Sequence, residues 1–323
     1  MSQIYAGVDL GGTSFIAVLA DRKGKVLGSS DCATVPGAKA EETMDAIADH
    51  ILLAAKDAGV KMSKVRAIGI GAPGAVDAKK GLVVRAPNLG WTNVPLSKTL
   101  RKRLGPDVVL GNDVQVAIIG EHAYGAAKGT DRAVGIWVGT GIGGGLISNG
   151  ELDRGFRGAA GEIGHMLIKE DGPECGCGRR GCVEALASRT AMEREMRAAS
   201  KKAKDGGGVL AIMKERGKER MTSSIISRAL KADDPIMKEV IARAQHYLGL
   251  LAGNIVNMYD PEMIVIGGGV AQRLKEDFVA PIAEIARSRF LRPDPEGRVR
   301  IEHAVLGDFS GALGASALAR KNT

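Results

Sequence analysis

One pattern in this chain occurs twice. Ile4 to Asp9 is a short apolar run ending in an acid, Leu10-Gly11-Gly12-Thr13 follows, and Phe15 to Ala20 is apolar again. Val134-Gly135-Ile136-Trp137-Val138 then leads into Gly139-Thr140-Gly141-Ile142-Gly143-Gly144-Gly145 and on to Leu146-Ile147-Ser148. Apolar runs of this length bounded by glycines predict strand, glycine turn, strand. A shift of 130 positions lays Gly11 on Gly141. The repeat therefore predicts a duplicated α/β domain with two glycine hairpins facing phosphate, and a boundary near residue 112. At 323 residues the chain is long enough for two such cores.

Other elements fit an α/β chain. Asp21-Arg22-Lys23-Gly24 turns into Lys25-Val26-Leu27. Thr43 to Ala58 has helical spacing through Met44, Ile47, Ile51, Leu52 and Ala55. Val65 to Ile70 reads as a strand running into Gly71-Ala72-Pro73-Gly74. Val108-Val109-Leu110 reads as a strand entering Gly111-Asn112-Asp113 and a helix. Met263-Ile264-Val265-Ile266 is a buried strand ending at Gly267-Gly268-Gly269. Asn149-Gly150 is a hairpin signal, and Ser310 to Arg320 is a small-residue helix built for close packing.

Composition excludes several classes. Only 11 residues are aromatic, too few for base-stacking platforms. The net charge is +8, but residues 189–220, with ten Lys/Arg and five Asp/Glu, hold much of it. Both signs mix there, as on a solvated helical face, so no nucleic-acid stripe is expected. A mildly basic protein suits anionic small substrates. The start, Met1-Ser2-Gln3-Ile4-Tyr5, lacks an export signal, and no apolar run reaches the ~18 residues of a membrane span. A cytoplasmic protein without membrane partners is expected.

Glycine turns matter because glycine lets an anion approach the chain and lets successive N–H groups converge on it. Asp9 precedes the first turn, where it could hold a metal-bound water beside a phosphate, and Thr13 adds a hydroxyl donor. A single such turn is often only a hairpin. Two related turns plus the strand-ending Gly267-Gly268-Gly269 favour phosphate binding. Gly139, Gly141 and Gly144 match G-x-G-x-x-G, but that fingerprint needs a following helix, and Leu146-Ile147-Ser148-Asn149-Gly150 reads as strand and turn. A dinucleotide site is therefore rejected, and the Gly-Lys-Ser/Thr ending of a Walker loop is absent.

Three of the four cysteines, Cys175, Cys177 and Cys182, crowd into a glycine-rich run. Crowding of this kind without an export signal predicts metal ligation rather than disulfides. With a histidine they complete a structural zinc tetrahedron. Spacing leaves His165, His122 and His303 as candidates for the fourth ligand. Cys32 reads as a small hydrophobe. Among the acids, Asp113 opens a helix and reads as either an N-cap or a general base. Glu162 and His165, three apart, and Glu184, two past Cys182, could bind vicinal hydroxyls.

Taken together, Asp9-Leu10-Gly11-Gly12-Thr13, Gly111-Asn112-Asp113, Gly139 to Gly145, Gly161-Glu162-Ile163-Gly164-His165, the cysteine cluster and Gly267-Gly268-Gly269 resemble the ROK family of repressors and sugar kinases, and within it the bacterial glucokinases. The resemblance implies two actin-like (ribonuclease H-like) α/β domains flanking a cleft, with a small structural zinc site. The smaller domain would be 1–111 plus 305–323, and the larger 112–304. ATP with Mg2+ would meet Asp9, Gly11, Gly12, Thr13, Thr140, Gly141, Gly267 and Gly268. Asp113 would be the base on the 6-hydroxyl of glucose. Asn88, Asn112, Asp113, Glu162, His165 and Glu184 would bind the sugar. Zn2+ would sit on His165, Cys175, Cys177 and Cys182, and the protein would be a homodimer or homotetramer. Where the family commonly has Asn-Asp-Ala-Asn, this chain has Asn112-Asp113-Val114-Gln115, which bears on sugar selectivity.

Alternatives are a kinase for fructose, mannose, allose or an N-acetylhexosamine, an ATPase without a sugar substrate, use of polyphosphate as donor, and a sugar-responsive repressor. Only eight residues precede Asp9, too few for the helix-turn-helix of such a repressor.

Overall fold

The two-residue period of β1 (Ile4–Leu10) decides the first half of the fold. Ala6, Val8 and Leu10 enter one core with Met44, Ile47 and Ile51 of α1 (Ala40–Asp57), while Tyr5, Gly7 and Asp9 turn to the opposite face. β1 pairs antiparallel with β2 (Ser14–Asp21), which carries β3 (Val26–Ala33) on its outer side. On its other side β1 pairs parallel with β4 (Val65–Ala72). A small sheet of β5 (Ala75–Asp77), β6 (Leu82–Ala86) and β7 (Trp91–Val94) follows, then α2 (Leu96–Leu104). β8 (Asp107–Asn112) closes a five-stranded sheet of order β3-β2-β1-β4-β8 and runs straight into α3 (Asp113–Tyr124).

The second half repeats the plan. β9 (Ala133–Val138), β10 (Ile142–Ser148) and β11 (Glu151–Asp153) form the antiparallel part, the last two joined through Asn149 and Gly150, both at positive φ. A helical stretch then intervenes: α4 (Val183–Ala187), α5 (Arg189–Ser200), α6 (Gly208–Glu215), α7 (Ser223–Lys231) and α8 (Pro235–Tyr259). β12 (Met263–Gly267) pairs parallel with β9, and after α9 (Gly269–Leu274) and α10 (Glu276–Arg287), β13 (Arg300–His303) completes the order β11-β10-β9-β12-β13. Val134, Ile136, Ile264, Ile266 and Ile301 share its core with Leu248 of α8 and Phe278 of α10. Order and strand directions match the first sheet, as duplication predicts. α11 (Ser310–Lys321) ends the chain.

This is a computed structural model; it describes residues 3–35, 37–203 and 208–323. Met1, Ser2, Pro36 and residues 204–207 lie outside it, and with them part of the amino-terminal start and of the basic stretch read above. By internal contacts the chain divides into Met1–Gly129 with Val305–Thr323, and Thr130–Ala304. The border falls after Gly129 rather than near residue 112. The reason is α3, which packs on α11 of the same unit. A Cβ on Gly314 would stand 1.6 Å from the Val116 carbonyl oxygen, and one on Gly120 2.4 Å from that of Ser310, so the two helix backbones touch. α11 also lies on the sheet: a Cβ on Gly7 would meet the Ala312 oxygen at 1.9 Å, and one on Gly69 the Ala315 oxygen at 1.8 Å.

A buried carboxylate anchors the segments where the chain leaves and re-enters this unit. Glu121 of α3, fully buried, accepts from Ala126 N at 2.9 Å, Val305 N at 3.2 Å, Leu306 N at 3.0 Å and Ser310 Oγ at 2.9 Å. Four donors offset the cost of burying its charge.

Other expectations shift by a few residues. α1 starts at Ala40 rather than Thr43, because Glu42 reaches back to the Lys39 N–H at 3.2 Å. The basic stretch is not wholly a solvated face: Glu193 is buried and receives Arg197, Arg220 and the Met221 N–H. Among the described residues no helix is long and apolar enough to cross a membrane.

Candidate functional site

In the first unit the site lies at the carboxyl end of the parallel strands. Asp9 is paired with Gly71 of β4, and Gly71 with Gly111 of β8, so Asp9 and the start of α3 share one edge of the sheet. Asn112 is the N-cap of α3. Its Oδ1 accepts from Val114 N at 3.0 Å and Gln115 N at 3.2 Å, and its Nδ2 donates to the Gly74 carbonyl at 3.1 Å. The capping alternative for Asp113 is therefore taken by its neighbour. Asp113 stands at the first helical position, its Oδ1 receiving the N–H of Val114 at 2.9 Å. Burial, with the charge of Asp113 as the second cause, raises the Asp9 carboxyl from 3.8 to about 7. Asp9 rests against α11: a Cβ on Gly311 would fall 2.2 Å from its Oδ2.

The first glycine turn has its acceptors tied down. Gly11 N donates to Ser14 O at 2.9 Å; Thr34, buried, gives its hydroxyl to Gly11 O at 3.0 Å and its N–H to Thr13 O at 2.9 Å. Among the described residues no acceptor takes the N–H groups of Gly12 and Thr13. The turn presents donors, which is the polarity an anion requires. Asn88, exposed at the 3₁₀ turn Pro87–Leu89, packs over Gly12, whose Cβ would meet Asn88 Cβ at 3.1 Å. Asp9, Gly11, Gly12, Thr13, Asn88, Asn112 and Asp113 thus gather in one unit.

The second turn is shorter than expected. Gly143, Gly144 and Gly145 belong to β10, paired with Trp137, Ile136 and Gly135, so the turn is Gly139-Thr140-Gly141 alone. The strand continues past Gly144, in agreement with rejection of the dinucleotide fingerprint. Strand register also corrects the repeat: Leu10 pairs with Phe15 and Val138 with Ile142, so Gly11 corresponds to Gly139, not Gly141. Glycine at 144 has another purpose. A Cβ there would strike Ile163 Cγ1 at 2.4 Å, and one on Gly164 the Ile142 oxygen at 1.9 Å. The 3₁₀ turn Ile163–His165 therefore lies flat on β10, with Glu162 exposed as its cap.

Next to it His165, Cys175, Cys177 and Cys182 bring their ligand atoms within 4.8 Å of one another. Cys177 Sγ to Cys182 Sγ is 3.7 Å, and His165 Nδ1 to Cys175 Sγ is 3.7 Å. A Zn–S bond of about 2.3 Å places tetrahedral thiolates roughly 3.8 Å apart, so the donor set fits zinc. The N–H and guanidinium of Arg179 bring the Cys177 thiol down to about 6, toward the ligating thiolate. His122 lies in the other unit and His303 faces Glu276 at 4.0 Å; His165 is the histidine of the cluster.

Glu184, on α4, joins this cluster to the glycine turn. Its Oε1 accepts from Cys175 Sγ at 3.6 Å and its Oε2 from Ile142 N at 2.9 Å, and it fills the space beside Gly141 that a Cβ would occupy at 2.3 Å. Gly267 and Gly268 end β12 against β9: Cβ atoms there would meet the Trp137 ring at 2.5 Å and the Val138 oxygen at 2.4 Å. Among the described residues no hydrogen bond joins Glu162 to Glu184 or Gly267 to Thr140. Sequence reading missed Thr34, Glu121 and Arg189, whose Nη2 donates to Thr140 Oγ1 at 2.8 Å.

The chain is similar to known proteins along nearly its whole length. The chain is 33% identical to a glucokinase of Thermotoga maritima over 98% of its length and 96% of that protein's. It is 30% identical to a putative xylose repressor of a Caldicellulosiruptor species over 98% of this chain and 77% of that one. The structure of a ROK family glucokinase from Streptomyces griseus, in complex with glucose and AMPPNP, superposes with a TM-score of 0.85 at 33% identity, covering 98% of this chain and 99% of that one. The ROK family pattern matches residues 5–322, and the chain belongs to the ROK family.

Proposed function

We propose that this chain transfers the γ-phosphoryl group of ATP to the 6-hydroxyl of glucose, giving glucose 6-phosphate and ADP. The observation that carries the reading is Asp113: a carboxylate at the opening of α3, relieved of capping by Asn112 and set beside a second acid and a glycine turn of open donors. The relatives' activity and the near-complete coverage of the glucokinase bound to glucose and AMPPNP support the choice of substrates.

Phosphoryl transfer asks a protein chiefly for positioning and charge neutralisation. Asp113 takes the proton of the sugar hydroxyl as the oxygen bonds to phosphorus, so the nucleophile is not left with a positive charge. In the first unit the N–H groups of Gly12 and Thr13 would donate to phosphate oxygens; in the second, those of Thr140 and Gly141 are donors of the same kind. Asp9 is an oxygen donor of the kind Mg2+ prefers, and that ion would offset charge on the phosphates. Gly267 and Gly268 would leave room for the adenosine. Asn88, Asn112, Glu162, His165 and Glu184 would bind ring hydroxyls; Asn112 does so with the hydrogen-bonding capacity its cap leaves.

Zinc on His165, Cys175, Cys177 and Cys182 would be structural, holding Glu184 and the 3₁₀ turn in place. The matching sheet orders support an actin-like reading of each unit, with borders at 129 and 305. Work in the cytoplasm as a homodimer or homotetramer belongs to the same reading.

The test is a hexose panel in a coupled ADP assay, with the product's phosphate located by NMR. Glucose should give the highest kcat/KM and a 6-phosphate. ATP hydrolysis that no hexose accelerates, or a higher kcat/KM with an N-acetylhexosamine, contradicts the proposal.

A further inference from the structure

The turn Gly139-Thr140-Gly141 is held from behind by the first two residues of α5. Gly139 O accepts the Arg189 N–H at 2.9 Å, Thr140 O accepts the Thr190 hydroxyl at 2.8 Å, and Gly141 O accepts the Gly139 N–H at 2.9 Å. The three carbonyls that would repel an anion are all engaged. Thr190 and Arg189 do here what Thr34 does for the first turn.

The Thr140 hydroxyl is held differently. Its oxygen accepts a hydrogen bond from Arg189 Nη2 at 2.8 Å. A hydroxyl has one proton and two lone pairs. With a guanidinium donating to the oxygen, the proton is left for an outside acceptor, and Thr140 becomes a committed donor on the exposed side of the turn.

The charge of Glu193 reaches Arg189, but that carboxylate is already paired with Arg197 and Arg220. Arg194 and Arg197 of the same helix, and Arg220, each pair with a glutamate at 2.7–3.4 Å. Arg189 makes no ion pair among the described residues, although it is partly buried. Burial and the like charge of Arg220 lower its pKa from the usual arginine value. A partly desolvated cation beside a turn of open donors gains most from an anion that supplies the missing charge.

We infer that Arg189 binds the terminal phosphates of the nucleoside triphosphate and positions the Thr140 hydroxyl to donate to them. The inference rests on the kinase reading above, and it adds a residue that neither glycine motif contains. Its guanidinium has further N–H donors beyond the one spent on Thr140, enough for a bidentate contact with phosphate oxygens.

The experiment compares wild type, Arg189→Gln and Arg189→Lys in steady-state kinetics with ATP and glucose. Calorimetric binding of inorganic tripolyphosphate without sugar provides a second readout. Arg189→Gln should raise the KM for ATP and weaken tripolyphosphate binding by at least about tenfold, with glucose KM changed less than about twofold. Arg189→Lys should fall between the two in both readouts, because it keeps the charge and loses the fork. Unchanged ATP KM and tripolyphosphate affinity in Arg189→Gln overturns the inference. So does a parallel loss for ATP and glucose with lowered thermal stability that lysine does not relieve, which is the mark of a merely structural residue. If wild type phosphorylates no sugar while tripolyphosphate binding still depends on Arg189, the inference stands and the kinase reading falls.

Discussion

Asp9 and Asp113 sit at one edge of the first sheet, on β1 and at the start of α3, with Gly71 of β4 in register between their strands. The charge of Asp113 adds to burial in holding the Asp9 carboxyl near 7. Two acids therefore share one small region of the first unit, and each feels the other's charge.

A pH dependence of stability follows. An acid whose folded pKa exceeds its unfolded value stabilises the fold below the unfolded value and loses that contribution as pH rises through the folded one. For Asp9 the window runs from 3.8 to about 7. The ligand-free protein should therefore lose thermal stability between pH 5 and 8 more than its Asp9→Asn variant does. Melting curves at both pH values check this, and equal pH dependence in the two proteins refutes it.

Metal content is the next expectation. The purified chain should hold one zinc per chain, released in Cys182→Ser, since a buried ligand at 3.7 Å from Cys177 is lost. The variant should also melt at lower temperature. Elemental analysis and thiol titration report the outcome: three freely reactive thiols and no metal in wild type would count against the site.

Glu121 should matter for stability rather than for chemistry. Glu121→Gln turns one of its two acceptor oxygens into a donor facing N–H or hydroxyl groups at 2.9–3.2 Å. The expected cost is about 1.5–3 kcal/mol. Urea unfolding measures it; a loss below about 0.5 kcal/mol would mean that the carboxylate is not what holds residues 126, 305 and 306.

Local pattern made much of this molecule legible. Strand periodicity and glycine spacing announced the duplicated hairpins, and the cysteine run announced a cluster of side chains able to ligate a metal. Long-range contacts were hidden. The repeat was misaligned because the first turn has one residue more between paired strand ends, Leu10 with Phe15, than the second, Val138 with Ile142. The border at 112 was misplaced because the packing of α3 on α11 depends on Gly120 and Gly314, far apart in the chain. Thr34, Arg189 and Glu121 were missed for the same reason: their partners lie 23, 49 and as many as 189 positions away. The capping of α3 by Asn112 could have been anticipated, since asparagine directly before a helix is among the strongest caps.

The central claim is that Asp113 is the general base, and the most direct measurement is the turnover of Asp113→Asn with saturating ATP and glucose. Because Asn112 carries the cap, the variant should fold and bind glucose within a few-fold of wild type. Its kcat should fall by about 10²–10⁴. A kcat within a few-fold of wild type would contradict the assignment of Asp113 as the base.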